Sequence, residues 1–201
     1  MFACIRDSDY GVAILSALPF VDTRVLTFAA PTPARSADVI YMDREQQPRG
    51  AAAVLVRARN LSLLWVVTTH LSHLSSSEEQ RGQARELIEW CDMLRLEQNC
   101  CPLLLCGDMN SAPGSPSQRG PGAWHIITGH PTIADKPGGW LDCWEVVHGA
   151  DPDNGYTCPS LRPRSRIDQF FLPTDVLESV PEQKGKADVR RGSSMEVVDI
   201  Q

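Results

Sequence analysis

A continuous apolar run, Pro102-Leu103-Leu104-Leu105-Cys106, breaks directly into the polar, turn-rich stretch GDMNSAPGSPSQRGPG, and no other feature of the chain constrains its fold as strongly. A run without polar alternation predicts a strand covered on both faces, so other layers must lie on either side of it. The Gly- and Pro-rich stretch beyond predicts a loop rooted in a rigid sheet, a place where reacting groups are commonly held. Three further runs read as strands: residues 10–16 (YGVAILS), closed by Pro19; residues 49–57 (RGAAAVLVR); and residues 61–69 (LSLLWVVTT), which deliver His70 at their C-terminal end. Between them and the apolar run, Ser76 and Glu79 have capping-box spacing. After this box Ala84, Leu87, Ile88, Cys91 and Leu94 recur every three or four residues, one apolar helical stripe for packing on a sheet. Residues 126–157 read as loop and short helix, and residues 166–172 (RIDQFFL) as a strand with Arg166, Asp168 and Phe170 on one face. Residues 1–172 thus form one domain without internal repeats, and residues 173–201 a polar segment.

Composition narrows the partners. Nineteen Lys and Arg against 25 Asp and Glu give a net charge of -6, so no global positive field draws in nucleic acid, and any such partner must be held locally. The longest apolar runs fall far short of the roughly 20 residues a membrane helix needs. Charged residues among the first ten leave no visible export signal, and a soluble intracellular chain is expected. Seven cysteines without a CxxC pair argue against a zinc site or a closed disulfide framework and predict reduced, mostly buried thiols.

Gly107-Asp108-Met109-Asn110 places a carboxylate and a carboxamide two residues apart where the buried strand meets its loop. In extended backbone both side chains project the same way. The carboxylate can orient or deprotonate water, and the amide can donate to a phosphoryl oxygen. An Asx turn explains the same residues more simply. His70 reads alone as a satisfied turn histidine, and Asp168 as a salt-bridge partner of Arg166 or Arg164. Taken together, these residues supply the acid, base and amide groups of a phosphate-hydrolysing site.

In order along the chain, YGVAILS, Glu45 with Arg49-Gly50, TTHLS at 68–72, EEQRGQARELIEW at 78–90, PLLLCGDMNSAPGS at 102–115, GYT at 155–157 and RIDQFF at 166–171 resemble the blocks of the endonuclease/exonuclease/phosphatase superfamily of metal-dependent phosphoesterases. The THL and GDxNS-P wording resembles its deadenylase-like and neutral-sphingomyelinase-like branches more closely than it does the inositol polyphosphate phosphatases. The resemblance implies an α+β fold, a two-layered β-sandwich flanked by helices (DNase I-like), here incomplete. It also implies catalytic roles. Asp108 would activate the attacking water and Asn110 would hold a phosphoryl oxygen or the metal-bound cluster. His70 would contact the scissile phosphate, and Asp168 would steady a catalytic histidine. The implied cofactor is Mg²⁺ or Mn²⁺ near Asp108 and Asn110, in keeping with oxygen donors. The implied substrate is a phosphoester: RNA, DNA, a sphingolipid or a small phosphate.

Two departures shape the functional expectation. The superfamily carries an asparagine and a metal-binding glutamate ahead of the YGVAILS block, and none of the nine residues before Tyr10 is Asn or Glu. It closes with a Ser-Asp-His segment, and residues 173–201 hold no histidine. A fragment, an incorrect gene model or a divergent short form would each look this way, lacking the family's first strand. The expectation is a metal-dependent phosphodiester hydrolase of nuclease or sphingomyelinase type, weak or inactive as it stands. The alternative is a non-catalytic relative that keeps the phosphate-accepting cleft. Trp124, Trp140 and Trp144 read as loop anchors, His73 carries no ligand role, and the basic residues Lys184, Lys186, Arg190 and Arg191 read as a solvated tail.

Overall fold

The computed structural model describes residues 2–4, 11–29, 49–58, 62–73, 78–114, 121–129, 139–149 and 155–178. Among these residues eight strands and four helices follow in the order β1 (Phe2–Cys4), β2 (Gly11–Ala13), β3 (Phe20–Thr27), β4 (Gly50–Arg57), β5 (Leu63–His70), α1 (Glu78–Glu97), β6 (Leu103–Asp108), α2 (Ala123–Thr128), β7 (Trp140–Asp142), α3 (Cys143–His148), β8 (Asp168–Pro173) and α4 (Thr174–Glu178). Six strands form one mixed sheet in the order β3-β4-β5-β6-β8-β7, while β1 and β2 pair as a second, two-stranded sheet. The single parallel pairing among them, β5 with β6, is bridged by α1, as a parallel connection requires. Among the described residues no helix is long and apolar enough to cross a membrane.

The core lies between the six-stranded sheet and α1 with α2. Alternation sends Ala51, Ala53 and Leu55 of β4, Trp65 and Val67 of β5, Leu103 and Leu105 of β6, and Phe171 of β8 to one side. There they meet Ala84, Leu87, Trp90, Cys91 and Leu94 of α1. The Trp65 indole N–H donates to the Leu94 carbonyl at 3.1 Å, pinning the last turns of α1 to the sheet. The other face of β4 is closed as well: Ala52, Val54 and Val56 are buried, and β2 packs beside β4 and β5. This second layer explains why RGAAAVLVR carries no polar alternation.

Several expectations shift. The apolar run of β6 is less evenly covered than predicted, since Leu103 and Leu105 are buried but Leu104 and Cys106 only half-buried. Strand β2 is shorter than residues 10–16, and β1, β3 and β7 are strands that the sequence reading did not place. The stripe of α1 extends further, adding Gln80, Gln83 and Trp90 to its buried face, with Ile88 partly buried against the core. Ser76 of the expected capping box, Glu45 and the basic residues after 180 lie outside the described residues. Strand β8 begins at Asp168, so Arg166 is not on its face. Arg166 turns inward instead and pairs with Asp142, not Asp168. Cys91, Cys100, Cys101, Cys106, Cys143 and Cys158 are free thiols, and of these six Cys91 and Cys101 alone are buried, fewer than expected, with Cys100 exposed. Trp124 and Trp140 are buried in the core, and Trp144 is half-buried.

Candidate active site

The register of three adjacent strands assembles the site. His70 ends β5 opposite Asp108 of β6, and Asp108 in turn lies opposite Asp168 at the start of β8. Residues paired across strands share a face, so the three side chains form one row along the edge of the sheet, on the side away from α1. His70 Nε2 lies 3.5 Å from Asp108 Oδ2, with side chains 35% and 27% exposed. Asp168 is exposed. Three stretches far apart in sequence therefore meet at one place.

Gly107 makes this row possible. It lies opposite Thr69 with a φ of 145°, and a Cβ there would collide with the Thr69 carbonyl oxygen. Any side chain would hold β6 away from β5 and separate Asp108 from His70. Beyond Asp108 the backbone leaves the strand. Asp108 Oδ1 accepts the Asn110 N–H at 2.8 Å, the Asx turn considered above, and Asn110 takes a left-handed φ of 49°. The expected parallel projection of Asp108 and Asn110 is therefore not met, because the chain is not extended at 110. The Asn110 side chain crosses to the loop after β5, where Nδ2 donates to the Leu71 carbonyl at 3.0 Å.

Sequence reading missed the residue that ties these loops together. Gln80, fully buried in the first turn of α1, directs Nε2 at the carbonyls of Ser72 (2.9 Å), Asn110 (3.0 Å) and Met109 (3.3 Å). Its Oε1 accepts the N–H of Ala123 at the start of α2, at 3.2 Å. One carboxamide thus joins the β5 loop, the β6 loop and α2. The signal was present, for Gln80 continues the Ala84-Leu87-Cys91-Leu94 stripe one turn earlier, where a polar residue needs buried partners. Gln83 accepts the Ser72 N–H at 2.8 Å, and Gln169 of β8 donates to the Ser111 carbonyl at 2.7 Å. The GYT block is placed too, since Thr157 Oγ1 accepts the N–H groups of Ile167 (3.1 Å) and Asp168 (3.2 Å) and holds the entry to β8.

The electrostatics centre on His70. Burial is the main cause that lowers its pKa from the ordinary 6.5, followed by the positive charge of Arg49 and, more weakly, by His73. The charges of Asp108 and Asp168 oppose the shift without reversing it. The imidazole is therefore neutral at neutral pH, able to accept or donate a proton. His73 itself is exposed.

A mixed sheet with helices over one face is the arrangement of an α+β domain of the DNase I type. The model of the Endonuclease/Exonuclease/phosphatase family matches residues 3–184, and the chain belongs to that family. Solved structures agree on the fold. The human Nocturnin catalytic domain is 14% identical with a TM-score of 0.51, over 78% of this chain and 48% of that one. The mannosyl-6-phosphatase of Bacteroides thetaiotaomicron is 17% identical with a TM-score of 0.52, over 78% and 53%. An endonuclease/exonuclease/phosphatase protein of Beutenbergia cavernae is 24% identical with a TM-score of 0.51, over 78% and 38%. The chain spans about half, or less, of the length of these structures. A search of curated proteins finds no match.

Proposed function

We propose that this chain carries the phosphoester-handling site of a metal-dependent phosphoesterase of nuclease or sphingomyelinase type, with weak or no hydrolysis by this polypeptide alone. The observation that carries the reading is the row of His70, Asp108 and Asp168 across three strand ends, and family membership supports the reaction class. Asp108, steadied by the Asn110 N–H, orients the attacking water and accepts its proton. Neutral His70 stands beside it to donate to a phosphoryl oxygen. Asn110 ties the loop that carries Asp108 to the loop after His70. Asp168 raises the proton affinity of His70 against burial and Arg49.

A divalent ion, Mg²⁺ or Mn²⁺, supplies neutralisation of phosphate charge in such hydrolysis. Asp108 and Asp168 are the hard oxygen donors at hand. Yet Asp108 Oδ1 already accepts the Asn110 N–H and Oδ2 faces His70. No group of three His, Cys, Asp or Glu side chains among the described residues could hold an ion. The described residues do not make a complete metal site.

The test is turnover of bis(p-nitrophenyl) phosphate, RNA, DNA and sphingomyelin by the purified chain, with Mg²⁺ and with EDTA. Slow turnover that Asp108→Asn abolishes is the expected result, and the EDTA arm reads whether an ion takes part. Rapid turnover would overturn the weak-activity reading, and turnover indifferent to Asp108→Asn would place the chemistry elsewhere. Saturable diester binding without turnover would select the non-catalytic alternative.

A further inference from the structure

We propose that the outer edge of β3 is a docking surface for a second copy of this chain, the two strands pairing antiparallel about Thr23. This surface goes beyond the phosphoester reading and does not depend on it. Strand β3 ends the order of the six-stranded sheet, and among the described residues only β4 pairs with it. Such an edge offers a row of backbone donors and acceptors to any strand that can meet it. One bond fixes which residues supply them. The Phe28 N–H donates to the Arg49 carbonyl at 3.0 Å, one step beyond the pair of Thr27 with Gly50. Bonded residues alternate in an antiparallel ladder, so Leu26, Arg24 and Asp22 turn their backbone groups to β4, while Val25 and Thr23 turn theirs outward.

The side chains beside Thr23 show where the two copies meet. Asp22 Oδ1 accepts the Thr23 N–H at 2.6 Å, Arg24 Nη1 donates to the Thr23 carbonyl at 3.3 Å, and Arg24 also pairs with Asp22. In the single chain these side chains stand in for a neighbouring strand. Asp22 and Arg24 flank Thr23 on either side, so a twofold axis through Thr23 sets Asp22 of each copy opposite Arg24 of the other. Each cap is then exchanged for its equal: the two Thr23 residues trade N–H and carbonyl bonds across the axis, and the two ion pairs re-form between copies. Opposite charges facing each other across strands stabilise the pairing, whereas an edge guarded by lysines would repel its own copy. Val25 of each copy also approaches Val21 of the other, and both are exposed in the single chain, at 46% and 48%. A bulge between Phe20 and Asp22 ends the regular ladder there, so the contact is short. An edge contact of that size belongs with weak, reversible association.

The test is sedimentation equilibrium of the purified chain at loading concentrations from about 10 μM to about 1 mM. The wild type is expected to pass from monomer to dimer within that range. Asp22→Arg and Arg24→Asp each place like charges across the axis, and each is expected to weaken dimerisation by about tenfold or more. An equimolar mixture of the two variants is expected to recover it, because an edge with two arginines then faces an edge with two aspartates. Neither variant is repaired within its own chain, so recovery in the mixture reads the contact between copies. A wild type that stays monomeric throughout overturns the docking edge. Dimerisation indifferent to both substitutions overturns it too, by placing the interface elsewhere, and so does a mixture that associates no better than its components. Should either variant not fold, amide hydrogen exchange of the wild type decides the matter. Protection of the Thr23 and Val25 amides that rises with concentration supports pairing at β3, and protection that does not change overturns it.

Discussion

Two carboxylate clusters near β7 and β8 are built on opposite principles. Asp142, at the end of β7, has a side chain fully buried, and its two oxygens meet Arg166 at 2.8 and 2.6 Å, the Trp124 indole N–H at 2.8 Å and the Trp144 N–H at 3.0 Å. Charge and hydrogen-bonding capacity are matched there, and no room remains for a ligand. Asp108 is partly open, shares its face with a second carboxylate, and lies beside a histidine whose proton affinity is pulled both ways by its neighbours. The first arrangement closes the fold. The second leaves charge for something else to meet, the usual mark of a site that handles a ligand.

The contrast can be broken first at the buried cluster. Asp142→Ala strands a buried guanidinium and two N–H donors, so a loss of about 3–5 kcal/mol is expected in urea unfolding. A loss below about 1 kcal/mol would show that Arg166 finds water or another partner, and that the pair is not the closed cluster described.

A smaller effect is expected from pH at His70. Below the ordinary value of 6.5 the unfolded chain takes up a proton that the folded chain resists, because the folded pKa is lowered. The stability associated with neutral His70 is therefore complete above pH 6.5 and declines as pH falls from there toward the lowered pKa. Unfolding midpoints of the wild type should drop more steeply over that interval than those of His70→Gln. Parallel profiles would remove the electrostatic picture of the site.

The smallest effect belongs to Asp168→Asn. This exposed residue should change stability by no more than about 0.5 kcal/mol, while the His70 titration moves to lower pH, since the Asp168 charge raises it. NMR titration reads the shift directly. A large stability loss with an unmoved His70 would make Asp168 a structural residue like Asp142.

Much of the sheet was legible. RGAAAVLVR, LSLLWVVTT and PLLLC carry enough apolar and β-branched density to announce β4, β5 and β6, and the periodicity from Ala84 to Leu94 announces α1. The edge strand β3 (FVDTRVLT) was not, because its half-exposed alternation mixes charges into the pattern, and β7 is three residues long. At the site, His70, Asp108 and Asp168 stood out as polar residues at the ends of, or within, apolar runs. The strand reading of 166–172 also misled, because Arg166 precedes the strand and follows the loop inward to Asp142.

By itself the sequence determined which segments must be buried and which polar residues interrupt them, since burial and periodicity are properties of local stretches. Pairing is not local. That His70 faces Asp108, that Asp108 faces Asp168, that Gln80 binds two loops, and that Arg49 reaches the end of β5 were decided by strand register and by the close approach that Gly107 allows. A shift of one residue in any of those pairings would send the side chains to the other face and dissolve the row.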